Sequence, residues 1–145
     1  MKRLIPICIA IIFSPWLITG QITVTLDPPT FVMTGPADQT DISYHVHVTN
    51  TSTQIANLLW SRRVQGNPTT WLTWICDANL CYTPEVGSCP PRKPNVIAPG
   101  DTVEFQMHLN PRGAEGTADY NVTITDMDGN PLAVIDGQAC IPETL

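Results

Sequence analysis

The sequence predicts an all-β protein, an antiparallel sandwich of about seven strands, and three observations carry that prediction. Apolar and polar residues alternate in short runs, turn residues separate the runs at intervals of roughly 8–15 residues, and no segment has a helical period. Alternation with period two is what a half-buried strand requires, because successive side chains leave opposite faces of a sheet.

The first twenty residues, M-K-R-L-I-P-I-C-I-A-I-I-F-S-P-W-L-I-T-G, place two cations ahead of an apolar run that ends in a small residue, Gly20. This is the pattern of a secretory signal peptide, with the mature chain expected to start near Gln21. The run is too short, and too broken by Pro6 and Pro15, for a span of about 20 apolar residues. No stable membrane span is therefore expected after cleavage. Residues 21–145 remain as a single domain, 125 of the 145 residues, enough for one core and too few for two comfortable ones. Without Lys2 and Arg3 the formal net charge goes from −6 to −8. The few cations left are isolated or sit in the pairs Arg62-Arg63 and Arg92-Lys93, which argues against a nucleic-acid partner.

Gln21–Asp27 alternates, with Ile22, Val24 and Leu26 on one face, until Pro28-Pro29 stops it; Thr30–Val32 reads as a short continuation. Asp41–Thr49 puts Ile42, Tyr44, Val46 and Val48 on one face and Ser43, His45, His47 and Thr49 on the other. Asn57–Val64 is a third strand with Trp60 as its large core residue, and a buried tryptophan there is a habit of immunoglobulin-like sandwiches. Thr70–Ile75 is apolar and β-rich enough for a fourth. Between Asp77 and Pro99 alternation fails and proline accumulates, a long loop that needs tying down in a compact domain. Ala98–Asp101 then turns the chain into Thr102–Leu109, where Val103, Phe105, Met107 and Leu109 face inward. Thr117–Asp126 buries Ala118, Tyr120, Val122 and Ile124. Asp128-Gly129 is a hairpin signal, after which Pro131–Ile135 returns as a final short strand. The fold class is thus an immunoglobulin-like antiparallel β-sandwich.

Cys76, Cys81, Cys89 and Cys140 follow the signal segment. An even number in an exported domain is most simply two disulfides, with three possible connectivities. The short loop favours Cys76–Cys81, leaving Cys89 to reach Cys140 and the loop of residues 76–99 tied by both. The spacings C-x4-C and C-x7-C depart from the paired knuckles of structural zinc sites.

The series Trp60, Pro68, Trp71, Cys76-Asp77, Cys81-Tyr82, followed by A-P-G-D-T-V-E-F and N-P-R-G-A-E-G-T-A, resembles a family of exported bacterial immunoglobulin-like domains, common in bacteria that use type IX secretion. The resemblance runs from about Gln21 to Ile135. It implies a disulfide-closed C-D-x-x-x-C-Y loop, in keeping with Cys76–Cys81, and no enzyme activity or assigned ligand. Cys89 and Cys140 fall outside that pattern.

Three further groups are candidates for chemistry. His45 and His47 share the polar face of one strand; if the strand bearing His108 pairs with it, three imidazoles can converge in a surface site for zinc or copper. Alternation alone also accounts for those positions. Trp71, Trp74 and Tyr82 flank the disulfide loop and are the candidate recognition surface for a protein or glycan, with Trp71 and Trp74 expected on opposite faces. Asp126–Asn130 carries the start of a calcium-loop pattern but lacks the later oxygens such loops need, so it reads as a turn. Asn50-Thr51-Ser52 and Asn121-Val122-Thr123 are sequons in form, and Asp101-Thr102-Val103 resembles a bacterial O-glycan acceptor at Thr102. No nucleophile motif or His-Glu zinc motif is present. The expectation is a secreted or periplasmic, non-catalytic interaction module of the cell envelope without a cofactor, the alternatives being a metal-binding protein and a carbohydrate-binding module.

Overall fold

The computed structural model describes residues 20–143, so the predicted signal peptide lies outside the described residues apart from its last position, Gly20. Nine strands form two sheets: β1 (Val24–Asp27), β2 (Thr30–Thr34), β3 (Ile42–Asn50), β4 (Ala56–Gln65), β5 (Leu72–Cys76), β6 (Asn95–Ile97), β7 (Thr102–Asn110), β8 (Gly116–Thr125) and β9 (Pro131–Ile141). One sheet runs β1-β3-β7-β5 and the other β2-β9-β8-β4-β6. Neighbours pair antiparallel except β2 and β9, which are parallel. Among the described residues every regular element is a strand. No helix there is long and apolar enough to cross a membrane.

The inward residues follow from the alternation. Val46, Val48, Phe105, Met107 and Leu109 from the four-stranded sheet meet Leu58, Trp60, Ile124, Ile135 and Met33 from the five-stranded sheet, all at most 1 % exposed. Pro28-Pro29 ends β1, and the chain crosses to the opposite sheet, where β2 lies along β9. The Asp27-Pro28 peptide is cis. Asp126 closes the β8–β9 turn, its carboxylate accepting the Asp128 and Asn130 backbone N–H groups, each at 2.9 Å, and the Asn130 amide at 2.8 Å. That carboxylate is lowered in pKa chiefly by those bonds to Asn130. The turn reading of Asp126–Asn130 holds.

Three elements differ from expectation, and nine strands stand among the described residues where about seven were expected. β2 is a strand of the opposite sheet instead of a continuation of β1, β6 emerges inside the proline-rich stretch, and β9 continues to Ile141 instead of stopping near Ile135. Gly137 explains the misjudged end of β9: it interrupts the alternation because the Phe31 ring occupies its inner side. A Cβ there would lie 2.2 Å from Phe31 Cε1.

Candidate functional site

β5 leads directly into the disulfide loop. Cys76, at its last position, bonds to Cys81, and the Tyr82 N–H returns to the Ile75 carbonyl at 2.9 Å, so the loop folds back along the sheet edge. Asp77 inside this loop is buried and accepts five hydrogen bonds. Its Oδ2 takes Trp60 Nε1 at 2.8 Å, Asn95 Nδ2 at 3.0 Å and the Tyr82 hydroxyl at 3.1 Å. Its Oδ1 takes the N–H groups of Asn79 at 2.8 Å and Leu80 at 3.2 Å. A buried carboxylate is tolerable only when its lone pairs are filled, and these are. The neighbouring Tyr82 phenol is pushed above its ordinary pKa first by burial, then by the Asp77 charge and hydrogen bond.

The rest of the loop is pinned by Arg62 from β4. Its Nε donates to the Val86 carbonyl at 2.9 Å, Nη1 to Thr73 Oγ1 at 2.7 Å and Nη2 to the Pro84 carbonyl. Burial lowers the guanidinium's pKa from its ordinary value. Segment 77–94 is therefore ordered by a disulfide, a carboxylate and a guanidinium. Leu80, Arg92 and Lys93 stand exposed on its outer side.

The proposed recognition trio separates. Trp71 is 4 % exposed with Nε1 donating to the Ala114 carbonyl at 2.9 Å, and Tyr82 is 7 % exposed with its ring edge-on to Trp60 at 5.0 Å. Both belong to the core. Trp74 alone of the three lies on the outer face, opposite in direction to Trp71 as alternation requires, and stacks on His108 with centroids 5.0 Å apart.

The three histidines do share one face, since β3 pairs with β7 and sets Ser43 opposite His108, His45 opposite Gln106 and His47 opposite Glu104. They do not converge. His45 Nδ1 and His47 Nε2 turn to the two oxygens of Glu104 at 3.1 and 3.7 Å, while His108 Nδ1 turns to Asp41 Oδ1 at 2.8 Å. Glu104 is held below the ordinary carboxylate range by the Gln106 amide and then by His45. No cluster of three or more metal-ligating side chains is present among the described residues. The metal reading asked His45, His47 and His108 to converge, and here Glu104 of β7 takes both His45 and His47 while Asp41, just ahead of β3, takes His108.

The second predicted disulfide is corrected. Cys89 and Cys140 are both free. Cys89 sits at the outer edge of β4, its N–H on the Trp60 carbonyl at 3.0 Å and its Sγ accepting the Trp60 N–H at 3.3 Å. Cys140 lies in β9 opposite Thr117 of β8, whereas Trp60 lies opposite Ile124. Those positions of β8 are roughly 24 Å apart at the rise of an extended strand, and a disulfide needs Cα atoms within about 7 Å. Burial raises the pKa of the Cys89 thiol.

Neither sequon nor the Thr102 motif is a free side chain. Asn50 is fully buried, its amide donating to the Gln54 and Ile97 carbonyls; Asn121 Nδ2 donates to Asp136 at 2.7 Å; Thr102 Oγ1 is 2.7 Å from Thr49 Oγ1. Sequence reasoning missed the roles of Asp77, Asn95 and Arg62. An acid and an amide bracketing a cysteine loop were the available signal.

A groove of about 640 Å³ lies along the five-stranded sheet, lined by the polar residues Arg63, Gln65, Asp119, Asn121, Asp136 and Gln138 and by the rings of Phe31, Tyr120 and, from the opposite sheet, Tyr44. Asn121 to Asp136 and Gln138 to Asp119 are hydrogen-bonded across strands at 2.7 and 3.1 Å. From the sequence, Asn121 stands out only as a sequon and Arg63 only as part of a basic pair, and neither they nor the others as residues of a ligand site.

No protein-family profile matches the chain, and no curated protein matches it. Solved structures do. The N-terminal domain of PorA superimposes with a TM-score of 0.63 at 12% identity, covering 83% of this chain and 97% of that one. The PapD-like domain 7 of human CEP192 gives 0.50 at 10% identity, covering 97% and 99%. A family 123 glycoside hydrolase from Clostridium perfringens gives 0.52 at 10% identity, and there this chain spans only 28% of the enzyme. At such identities these likenesses show the fold alone, a β-sandwich of the immunoglobulin-like and PapD-like kind.

Proposed function

We propose that this chain is an exported, non-catalytic interaction module of the bacterial cell envelope, secreted or periplasmic, whose partner surface is the ordered loop 77–94. The observation that carries the reading is the anchoring of that loop by Cys76–Cys81 and Asp77. A pre-ordered loop binds without the entropic cost of immobilising it, and a disulfide belongs to an oxidising compartment. The motif resemblance to exported immunoglobulin-like domains of type IX-secreting bacteria supports the same address. The test is to express the full chain in a bacterium with a periplasm and measure the intact mass of the exported product without reduction. A chain starting near Gln21 with Cys76–Cys81 closed is expected. Uncut chain in the cytoplasm, or four free thiols, overturns the reading.

A second reading, a carbohydrate-binding module, is favoured by the groove on the five-stranded sheet. Its volume falls in the range of small-ligand sites, about 300–1,000 Å³, and its amides and carboxylates are fixed side by side by cross-strand bonds, a layout suited to vicinal hydroxyls. Calorimetric titration with neutral tetrasaccharides tests it. Loss of binding in Asp119→Ala with retention in Trp74→Ala assigns the groove. The reverse pattern assigns the Trp74 face instead, and no binding at millimolar sugar removes the reading.

A further inference from the structure

The Cys76–Cys81 disulfide has unequal ends, and a histidine addresses only one of them. Cys76 is 6 % exposed, whereas Cys81 is exposed. His108 Nε2 lies 3.4 Å from Cys76 Sγ, and His108 Nδ1 lies 2.8 Å from Asp41 Oδ1. Nε2 also lies 3.3 Å from Gln106 Oε1, whose orientation is fixed because Gln106 Nε2 donates to Glu104 at 2.6 Å. A disulfide sulfur, a carboxylate and an amide oxygen are all acceptors. The ring meets all of them only by carrying N–H on both nitrogens. Trp74 stacks parallel to the ring at 8°, and an indole face favours a cation above it.

The geometry points to this disulfide as a site of thiol–disulfide exchange, at which an external thiol attaches covalently to Cys81 while Cys76 leaves as a thiol hydrogen-bonded to His108. The inference goes beyond the interaction-module reading and does not depend on the partner of the loop. A thiolate R–S⁻ attacks Cys81 Sγ, the accessible sulfur; the Cys81–Cys76 bond breaks as the R–S–Cys81 bond forms. The electron pair passes to Cys76 Sγ, which takes the proton from His108 Nε2, leaving a neutral imidazole with Nδ1–H on Asp41. One disulfide replaces another, so no oxidant or reductant is consumed. Rates of such exchange depend on which sulfur is reachable and on how well the leaving sulfur is stabilised. Here both conditions select the same direction of attack. The groups facing the His108 ring are Asp41 ahead of β3, Cys76 and Trp74 of β5, and Gln106 of its own strand. His45, one pair along, is engaged by Glu104. His108 and Asp41 are thus positioning residues for the leaving sulfur.

The test treats the full oxidised chain with reduced glutathione as the probe thiol, quenches with an alkylating agent and maps peptides by mass spectrometry. Glutathione on Cys81 and the alkyl group on Cys76 are expected. His108→Gln should slow adduct formation at least tenfold and leave its pH dependence following the glutathione thiolate alone, with Asp41→Asn slowing it less. A purely structural role for His108 would move the thermal midpoint of the oxidised chain, which is read alongside. Glutathione on Cys76, a His108→Gln chain reacting at the wild-type rate, or a native chain reacting no faster than one unfolded in urea would each overturn the inference.

Discussion

Trp60 Nε1 donates a 2.8 Å hydrogen bond to Asp77 Oδ2, joining the central tryptophan of β4 to the second residue of the disulfide loop. The bond runs from the core outward to an element with little secondary structure of its own. Through it the loop inherits the rigidity of the sandwich, and through Asn95 the same carboxylate holds the short strand β6 in place.

Replacing Asp77 by Asn tests that arrangement most directly. An amide nitrogen set at either oxygen position would face N–H or O–H donors, two at Oδ1 and three at Oδ2. Bonds to a buried charge are worth about 1.5–3 kcal/mol, and leaving donors unpaired adds desolvation cost. Asp77→Asn should therefore lose about 3 kcal/mol in urea unfolding. Tyr82→Phe, which removes one donor of the five, should lose about 1 kcal/mol.

Such a hub was not legible in the sequence, and the reason is physical. Strands β3, β7 and β8 follow from alternation because their environment is set by position along one segment. The role of Asp77 depends on Trp60 and Asn95, each 17 or 18 residues away, whose approach only the closed sandwich defines. The same holds for His108: the paired face was readable from strand pattern, but the ring's direction is set by Asp41, which precedes β3. β6 escaped notice because three residues among prolines carry no periodicity, and the length of β9 because Gly137 breaks it to make room for Phe31.

Tyr120→Phe should leave stability unchanged or raise it by about 1 kcal/mol. Among the described residues the Tyr120 hydroxyl is buried without a hydrogen-bond partner of normal geometry, and burial pushes the phenol's pKa above its ordinary value, with the Arg62 charge and then a weaker approach to Thr73 opposing. Deleting an unsatisfied hydroxyl removes a desolvation cost and keeps the ring against Phe31. A loss above about 1 kcal/mol in denaturant unfolding would mean that the hydroxyl has a partner.

Acid should weaken the outer face of the four-stranded sheet through Glu104. Its folded pKa is depressed, so its contribution is complete above the ordinary glutamate value of about 4.3 and is lost as pH falls through the lower folded value. Because the Glu104 side chain is 37% exposed, solvent screening holds the effect to a few tenths of a kcal/mol. Wild type and Glu104→Gln should thus converge in stability between about pH 4 and pH 2. A gap that widens on acidification would contradict the assignment.

Cys89 and Cys140, the free cysteines among the described residues, give the last prediction, which decides between one disulfide and two. Cys140 is exposed and Cys89 buried, and the raised Cys89 pKa further depletes its thiolate, the reactive form. Iodoacetamide on the native, unreduced chain near neutral pH should label Cys140 readily and Cys89 only once the chain is unfolded. Two carboxamidomethyl groups in urea without reductant, mapped to those residues, are expected on the chain that starts near Gln21 and so lacks Cys8. If neither cysteine labels in urea, the pair is closed, and the strand registers that hold them at opposite ends of the sheet are wrong. Labelling of Cys89 at the rate of Cys140 would instead mean that the segment from Gly87 to Cys89 leaves the edge of β4 in solution, and the anchoring of the loop by Trp60 and Arg62 would have to be abandoned with it.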